Sequence, residues 1–215
     1  MERASGIEPL TEYYNMSINL IVEDDMILMI KQHKFDAFGH GANCQNVMGA
    51  GIAAQIKLHF PEMFTADKLG HKQAGWGGFT KAPINVRFLH NVKPVVGYNL
   101  YTQYRLGRDA DEHAVHDALS KALLDAELNT EIDKMCIPMI GAGIGGLTSS
   151  QAIRAFNKAY QTYIKTKLGK RAPIKLYVVI RKEDAVKLSP EERRDILDMM
   201  CCQGFIDYEG NNVQI

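Results

Sequence analysis

Two glycine-rich segments are the residues of this sequence whose type and spacing could do chemistry. The first, GHGANCQNVMGAG, covers residues 39–51, and the second, GAGIGG, covers residues 141–146. Glycine adopts positive φ angles easily and lets the backbone approach a ligand closely. Each segment follows a predicted strand and precedes a predicted helix, where free N–H groups favour an anion. Two such loops facing each other predict a binding site for a diphosphate.

Two other interpretations of these segments stay open at this point. Both could be tight turns without a ligand, although two segments of this glycine density in one chain disfavour that interpretation. The second segment also fits the GxGxxG pattern of dinucleotide-binding domains through Gly141, Gly143 and Gly146. That fold requires an acidic residue about 20 positions further on, at the end of the next strand. Glu183 comes too late for this role, so we rank the dinucleotide fold lower.

Polar side chains of the first segment could act on a bound ligand. His40 and Asn43 are three residues apart, so both could face the same ligand group. Histidine titrates near neutral pH and suits general acid–base catalysis, although a histidine at a strand end can also simply hydrogen-bond the backbone. Cys44 could be a nucleophile in principle, but no base stands at a recognisable spacing, so we expect a structural thiol.

Neither a metal nor a cofactor is predicted. His113 and His116 are three residues apart on a predicted helix, a spacing that can bind a metal. The acidic residues beside them match the positive end of a helix dipole, which favours a solvated helix start instead. The chain has no CxxC pair, so we expect free thiols in a reducing compartment. The four cysteines are Cys44, Cys136, Cys201 and Cys202.

Composition limits the classes of function. A chain of 215 residues is shorter than the roughly 250–300 residues at which one core tends to split. Lys plus Arg and Asp plus Glu number 25 each, which argues against a protein that holds nucleic acid mainly through bulk charge. No apolar run approaches a membrane span, and residues 1–14 lack the apolar core of a signal peptide. We therefore expect a cytoplasmic protein with no membrane partner and no strong nucleic-acid signal.

The elements that must position the two loops alternate between strand and helix. We predict strands at residues 16–22, 35–39, 86–89, 95–101, 135–140 and 174–180. We predict helices at residues 26–33, 52–60, 112–126, 149–165 and 190–202, with a further helical segment after Pro61. This alternation favours a mixed or parallel sheet with helices on both faces.

Four segments, in chain order, resemble the macro domain family. Residues 43–53, NCQNVMGAGIA, are similar to the family's first ribose and phosphate loop, and residues 138–147, PMIGAGIGGL, to its second phosphate loop. Residues 24–26, DDM, fall where the family has Gly-Asp-Ile, so Asp24 departs from the usual glycine. Residues 98–107, YNLYTQYRLG, match the strand and loop before the long helix.

The resemblance implies the fold and the boundaries of the domain. The fold would be an α/β three-layer sandwich, with a mixed, mostly parallel central sheet and helices on both faces. Residues 1–15 would be an N-terminal extension, residues 16–181 the macro domain, and residues 182–215 a C-terminal helical extension packed on the same domain.

The resemblance also implies ADP-ribose and its derivatives as partners, extending to an ADP-ribosylated macromolecule. Asp25, followed in the site by Met26, would accept a hydrogen bond from the adenine amino group. Asn43 would hold the distal ribose, with Tyr104 beside it. The two loops would surround the phosphates with backbone groups. Their residues are Gly49, Ala50, Gly51 and Ile52 in the first loop and Gly141, Gly143, Ile144, Gly145 and Gly146 in the second.

Within the family, the motif is most similar to the ADP-ribose 1''-phosphate phosphatase branch. Many hydrolase macro domains have Asn-Ala-Ala-Asn where this chain has HGAN at residues 40–43. The resemblance implies hydrolysis of ADP-ribose 1''-phosphate to ADP-ribose and phosphate, with His40 as acid and base and Asn43 orienting the ribose. A third branch has a lysine after the residue that matches Thr102, where this chain has Gln103, so a lysine-assisted route is unavailable.

Two alternatives to this activity stay open. One is a hydrolase that removes ADP-ribose or its O-acyl form from a protein, a nucleic acid or a metabolite. The other is a non-catalytic reader of ADP-ribose.

Overall fold

The backbone is organised around a mixed β-sheet. The computed structural model describes residues 18–86, 93–167, 171–200 and 204–215. Its strands are β1 (Asn19–Val22), β2 (Ala37–Asn43), β3 (Phe79–Ile84), β4 (Val95–Gln103), β5 (Lys134–Pro138) and β6 (Lys175–Ile180). Their order across the sheet is β1-β6-β5-β2-β4-β3. All neighbours from β1 to β4 are parallel, and β3 is antiparallel to β4 at one edge.

Helices cover both faces of this sheet. One layer holds α1 (Met26–Lys31), α2 (Gly51–His59) and α3 (Pro61–Ala74). The other holds α4 (Glu112–Glu127), α5 (Ser149–Thr166) and α7 (Pro190–Met200), with the single turn α6 (Lys182–Ala185) after β6. The buried apolar side chains form one cluster under each layer. The predicted three-layer α/β sandwich with a mostly parallel sheet is therefore confirmed.

The inner strands are apolar because both of their sides are covered. In β6, Leu176 and Val178 belong to the cluster under α4, α5 and α7, whereas Tyr177 and Val179 face the other layer. Successive side chains of a strand point to opposite faces, and a strand covered on both faces is a continuous apolar run. This explains why the run KLYVVI predicts a strand from sequence.

The long helices begin at capping residues. Asp111 precedes α4, and its carboxylate accepts the N–H groups of His113 at 2.8 Å and Ala114 at 2.9 Å. Thr148 precedes α5 and forms a reciprocal capping box with Gln151. These caps account for the close agreement between the predicted and the observed starts of both helices.

Two strands differ from the sequence-based prediction. β3 was not predicted. It contains Pro83, which lacks an N–H group and is tolerated mainly at sheet edges. β2 continues to Asn43, four residues beyond the predicted end, through a glycine-bearing segment that suggested a loop. The predicted strand at residues 86–89 lies mostly outside the described residues, as do residues 1–17.

The C-terminal segment covers the outer edge of the sheet at β1. The N–H of Val22 donates to the carbonyl of Ile206 at 2.8 Å, and Tyr208 packs edge-on against Phe35, with ring centroids 5.4 Å apart. Helix α7 is held against α5, where the amide of Asn157 donates to the carbonyl of Met199 at 2.8 Å. Residues 204–215 thus contact the edge strand, which would otherwise expose unpaired backbone groups.

Candidate functional site

The carboxyl ends of β2 and β5 open a crevice between the two helical layers. The two strands are parallel neighbours, but β2 leads into α2 on one face and β5 leads through residues 139–148 into α5 on the other. Adjacent parallel strands whose connections leave in opposite directions create a crevice outside their carboxyl ends, where α/β proteins usually bind ligands. The two glycine-rich segments therefore lie on opposite sides of one crevice.

The two glycine-rich segments approach each other across this crevice. Gly51 begins α2 with φ +56°, and a Cβ atom placed on it would lie 3.4 Å from Cδ1 of Ile144. Ile144 is the central residue of a 3-10 turn, Gly143–Gly145. A Cβ placed on Gly145 would lie only 2.9 Å from the Cβ of Ala110. A side chain at Gly51 would enter the gap beside Ile144, and one at Gly145 would collide with Ala110.

The helix starts at the crevice lack side-chain caps. Ala50 precedes α2 and Ala142 precedes the 3-10 turn, and neither offers a side-chain hydrogen bond to the following N–H groups. The first N–H groups of a helix have no partner within the helix. The long helices α4 and α5 are capped by Asp111 and Thr148, whereas α3 and α6 also begin without a side-chain cap. What distinguishes the two starts at the crevice is that they face each other where β2 and β5 end. They leave N–H donors available to an anion.

Asn43 shapes the first loop with its own side chain. Its amide nitrogen donates to the carbonyl of Val47 at 2.7 Å, and its oxygen accepts the N–H groups of Gln45 at 3.1 Å and Val47 at 3.2 Å. Asn46, within this turn, has φ +58°. The side chain of Asn43 is buried at the end of β2, where it holds residues 43–47 in a fixed turn beside the crevice.

His40 points away from the crevice, into the layer of α3. Its side chain is fully buried, with Nε2 at 2.6 Å from Oδ1 of Asn99 and Nδ1 at 3.0 Å from the carbonyl of Gly41. The amide nitrogen of Asn99 donates to the carbonyl of Met63 at 2.9 Å, so the oxygen of Asn99 faces Nε2 of His40 and can accept a hydrogen bond from it. Burial lowers the pKa of His40 to about 4, against the opposing effect of its hydrogen bonds with Asn99 and Gly41.

This placement corrects the role expected for His40. A general acid or base must reach the proton that it transfers and must titrate near the working pH. His40 is neutral near pH 7 and has both ring nitrogens beside protein oxygen atoms. It is a structural residue that joins β2 to β4.

A buried polar network continues from His40 towards α3. The amide of Asn99 also donates to Oγ1 of Thr80 at 3.0 Å, which lies 3.2 Å from the hydroxyl of Tyr101. That hydroxyl donates to Oδ1 of Asp67 at 2.7 Å. Burial raises the pKa of the Asp67 carboxyl, and the hydrogen bond from Tyr101 partly offsets this. The network ties α3 to β2, β3 and β4.

Cys44 lies between this network and the crevice. Burial raises the pKa of its thiol, and the negative charge of Asp67 raises it further. The thiolate is the nucleophilic form of cysteine, so Cys44 is protonated near neutral pH. The structure gives it no base that would activate it within the described residues.

The loop between β4 and α4 closes one end of the crevice. The N–H of Ala110 donates to the carbonyl of Gly145 at 3.0 Å, which joins this loop to the second glycine segment. Asp109 stabilises the loop by accepting the N–H groups of Tyr104 at 3.1 Å and Arg105 at 2.7 Å. Tyr104 is exposed on the rim of this end.

The opposite end of the crevice lies at β1 and β6. Asp25 begins α1, and its Oδ1 accepts the N–H of Leu28 at 2.8 Å. The carboxylate is otherwise exposed, whereas Met26 is buried in the core. Asp24 accepts the N–H of Lys182 at 3.2 Å and so joins β1 to the turn after β6. A carboxylate is thus presented at the edge of the sheet farthest from Tyr104.

A comparison with known protein families agrees with this architecture. The model of the Macro domain family matches residues 40–156. The chain belongs to the macro domain family. It is also 31% identical over 127 residues to an uncharacterized 17.5 kDa protein in the tk-vs intergenic region of Enterobacteria phage T4, covering 58% of this chain and 78% of that protein.

Solved structures with the same fold include two related proteins. The macrodomain of Mycobacterium tuberculosis DarG superposes with a TM-score of 0.57 at 22% identity, covering 74% of this chain and 95% of that one. Thermosipho africanus DarTG, solved in complex with ADP-ribose, gives a TM-score of 0.63 at 18% identity, covering 85% of this chain and 47% of that one. At these identities the likeness concerns the fold.

The macro domain places the sequence-predicted site residues in two groups. All of them except His40 lie at the carboxyl edge of the sheet, from Asp25 at one end to Tyr104 at the other. The described residues contain no group of three or more His, Cys, Asp or Glu side chains that could hold a metal ion. None of the helices in the described part of this macro domain is long and apolar enough to cross a membrane.

Sequence reasoning missed the residues that support the site from behind. Asp67, Asn99 and Tyr101 are polar or charged side chains at positions that the fold buries. The alternation of side chains along β4 could have identified Asn99 and Tyr101 as buried. Both lie on the same face of the strand as Gly97, which packs against Met63. No sequence pattern of this macro domain marks Asp67, since one acidic residue in a helix is usually exposed.

Proposed function

We propose that the crevice binds ADP-ribose along the carboxyl edge of the sheet. The observation that carries this proposal is the contact of two uncapped glycine loops, at Gly51 and Ile144, where β2 and β5 end. Their free N–H groups favour a diphosphate between the loops. The adenine would lie at Asp25 and the distal ribose at the loop after β4. Four strand spacings separate β1 from β4, about 19 Å at about 4.8 Å each.

The residues at each position have chemistry that suits this ligand. The free oxygen of Asp25 would accept a hydrogen bond from the exocyclic amino group of adenine, because its other oxygen accepts the N–H of Leu28. The backbone of residues 49–52 and 141–146 would surround the two phosphates. The fixed turn built by Asn43 would support the distal ribose, with Tyr104 on the outer side.

We further propose that the macro domain hydrolyses ADP-ribose 1''-phosphate to ADP-ribose and phosphate. The resemblance at residues 40–43 supports this activity. Phosphoryl transfer depends mainly on positioning and on stabilisation of charge, and the N–H groups of the two loops would supply both. With His40 buried, a water molecule held against the loops would complete the displacement without this imidazole.

A non-catalytic reader is the second candidate, and one observation favours it. His40, the expected acid and base, is buried away from the crevice, and the raised pKa of the Cys44 thiol disfavours this residue as a nucleophile. A hydrolase that removes ADP-ribose or its O-acyl form from a protein, nucleic acid or metabolite would use the same crevice.

Calorimetry and turnover assays test these proposals separately. ADP-ribose should bind with a measurable heat, and AMP should bind more weakly because it lacks the distal half. Absence of heat with ADP-ribose at about millimolar concentration, a binding free energy near −4 kcal/mol, would overturn the binding proposal. Release of phosphate from ADP-ribose 1''-phosphate supports the phosphatase. Release of ADP-ribose from modified protein or DNA alone supports the other hydrolase, and binding without turnover supports the reader.

A further inference from the structure

Two arginines stand at the end of the crevice where the distal ribose is proposed to lie. Arg105 and Arg108 belong to the loop between β4 and α4, and both are exposed. This loop is joined to the second glycine segment through the hydrogen bond from Ala110 to Gly145. The position is at the opposite end of the crevice from Asp25, because β1 and β4 are four strands apart.

Arg108 lies directly over the second glycine turn. A Cβ atom placed on Gly146, whose φ is +92°, would lie 3.0 Å from the Cβ of Arg108 and 3.4 Å from its Nε. The side chain of Arg108 therefore packs against Gly146, at the end of the second glycine turn. Its exposed guanidinium group lies beside the end of this turn.

The two guanidinium groups also have no hydrogen-bond or ion-pair partner within the described part of the chain. Among the described residues, neither Arg105 nor Arg108 has a carboxylate partner, and Asp109 between them uses one oxygen for backbone N–H groups. Of the arginines that the structure describes, Arg194 of α7 is likewise unpaired, and the four others are engaged. Ion pairs hold Arg154 to Glu112, Arg171 to Asp133 and Arg181 to Asp184, and carbonyl oxygens hold Arg193. An unpaired guanidinium beside uncapped N–H groups favours an anion.

We propose that Arg108, with Arg105 beside it, forms an anion subsite that binds a phosphate carried by the distal ribose of the ligand. This inference rests on the proposed binding of ADP-ribose in the crevice. A planar guanidinium donates two parallel N–H groups to phosphate oxygens, a geometry that lysine does not reproduce. The subsite makes the macro domain selective for ADP-ribose with a phosphorylated distal ribose over free ADP-ribose.

The phosphate has two possible sources with the same local chemistry. One is the monoester of ADP-ribose 1''-phosphate. The other is a phosphodiester that joins the distal ribose to the end of a nucleic-acid strand. Trp76 and Tyr104 are 55% and 61% exposed, and the hydrogen bond from Gly77 to Tyr101 brings Trp76 to the same end of β4. Exposed aromatic rings would stack on bases of a strand.

The experiment compares three ligands on matched variants. The ligands are ADP-ribose, ADP-ribose 1''-phosphate, and a short single-stranded DNA that carries ADP-ribose on its terminal phosphate. Arg108→Gln removes the positive charge, and Arg108→Lys keeps the charge but lacks the two parallel N–H donors of a guanidinium group. Arg194→Gln removes an exposed arginine of α7 and serves as the control. Calorimetry gives Kd for ADP-ribose, and initial rates give KM and kcat for the phosphorylated ligands, with Kd measured instead for any ligand that is not turned over.

We expect Arg108→Gln to separate the ligands. Its Kd for ADP-ribose should stay within about twofold of the wild type, and KM or Kd for a phosphorylated ligand should rise about tenfold or more, the scale of one charge-assisted hydrogen bond. Arg108→Lys should recover part of this loss, and Arg194→Gln should match the wild type. Equal effects on free and phosphorylated ligands, or none on either, would overturn the subsite. Failure of wild-type protein to bind ADP-ribose would overturn the proposed function and this inference together.

The same variants identify the source of the phosphate. If Arg108→Gln weakens binding of the DNA ligand, and adding Trp76→Ala weakens it further without changing binding of ADP-ribose 1''-phosphate, the subsite binds the phosphate of a nucleic-acid strand. If Arg108→Gln weakens the 1''-phosphate and Trp76→Ala affects neither ligand, the subsite serves the monoester. Both outcomes support an anion subsite at Arg108.

Discussion

Gly51 of the first glycine loop lies against Ile144 of the second, so that a Cβ atom on Gly51 would approach Cδ1 of Ile144 to 3.4 Å. The contact joins residues that belong to opposite helical layers, since α2 packs on one face of the sheet and α5 on the other. The distance between the two loops is therefore set at this point. A side chain at residue 51 would therefore occupy the space between the loops that a bound diphosphate needs.

The first prediction concerns this contact. Gly51→Leu should weaken the binding of ADP-ribose at least about tenfold, or 1.4 kcal/mol, because the side chain enters the gap next to Ile144. A non-glycine residue at φ +56° also costs about 1–2 kcal/mol of stability. Calorimetry measures the first effect, and urea denaturation measures the second.

Gly210→Leu is the matched control for Gly51→Leu. Gly210 has φ +89° in the C-terminal segment and no atom within 4 Å of an added Cβ. It should suffer a similar loss of stability and retain full affinity. Equal affinity of the two variants for ADP-ribose would show that the gap between the loops is not the phosphate site.

Asp25 is predicted to contribute to adenine recognition and to the start of α1 separately. Asp25→Ser keeps a side-chain oxygen that can cap the helix, but it removes the carboxylate. Affinity for ADP-ribose should fall by about 1.5–3 kcal/mol, the scale of a hydrogen bond to a charged group, with little change in stability. Asp25→Ala should lose the same affinity and also about 0.5–2 kcal/mol of stability, because the bond to Leu28 is lost. Unchanged affinity in both variants would place adenine elsewhere.

Cys44 is predicted to be dispensable for chemistry. Because burial and the charge of Asp67 raise the pKa of its thiol, alkylation of Cys44 at pH 7 should be slower than that of a free cysteine and should accelerate at higher pH. Asp67→Asn should accelerate it. Mass spectrometry assigns the modified residue among the four cysteines. Turnover of Cys44→Ala should equal that of the wild type. A loss of about 10⁴-fold or more, approaching the effect of removing a catalytic nucleophile, would make Cys44 a catalytic candidate.

The sequence predicted the loops of this macro domain better than the direction of its side chains. Glycine-rich segments between an apolar run and a helical pattern are local signals, and so are Asp111 and Thr148 as helix caps. The direction of His40 depends on where β2 ends. Because Phe38 faces the layer of α3, period-two alternation puts His40 on the same face once the strand extends past it.

Other features depend on contacts between distant parts of the chain. The proline at residue 83 disfavours a strand in the sequence pattern of β3. It is tolerated because β3 lies at the edge of the sheet. The C-terminal segment joins β1 through Ile206 across more than 180 residues of sequence, and no local pattern predicts such a partner.

The C-terminal segment is predicted to be part of the same folding unit as residues 18–181. Tyr208 contacts the rings of Phe35 and Tyr177, with centroids 5.4 Å and 5.9 Å away, and its hydroxyl donates to the carbonyl of Lys34 at 3.0 Å. Tyr208→Ala should lower the free energy of unfolding by about 2 kcal/mol, less than a fully buried aromatic residue. Tyr208→Phe should lose only about 1 kcal/mol, the value of the hydrogen bond. An unchanged denaturation midpoint in Tyr208→Ala would make the segment a separate appendage.

His40 is predicted to control stability at acid pH rather than turnover. The unfolded chain takes up a proton on this histidine near its ordinary pKa of 6.5, whereas the folded protein does so only near pH 4. Between these two pH values the unfolded state therefore binds more protons than the folded state. Because proton binding stabilises the unfolded state, the free energy of unfolding decreases as the pH falls from 6.5 to 4. The full loss would be about 3 kcal/mol at about 1.4 kcal/mol per pKa unit, with no further contribution below pH 4.

Because carboxylates also titrate in this range, the test compares slopes between variants. Urea denaturation of the wild type, His40→Gln and the exposed control His59→Gln should give a shallower decline only for His40→Gln, whatever its stability at pH 7. The pH dependence of turnover near neutrality should be the same in the wild type and His40→Gln. The neutral imidazole that faces Asn99 neither gives nor takes a proton in this pH range. Identical slopes for wild type and His40→Gln, together with an NMR titration of His40 near pH 6.5, would show that the ring is solvated and return it to the crevice as an acid–base candidate.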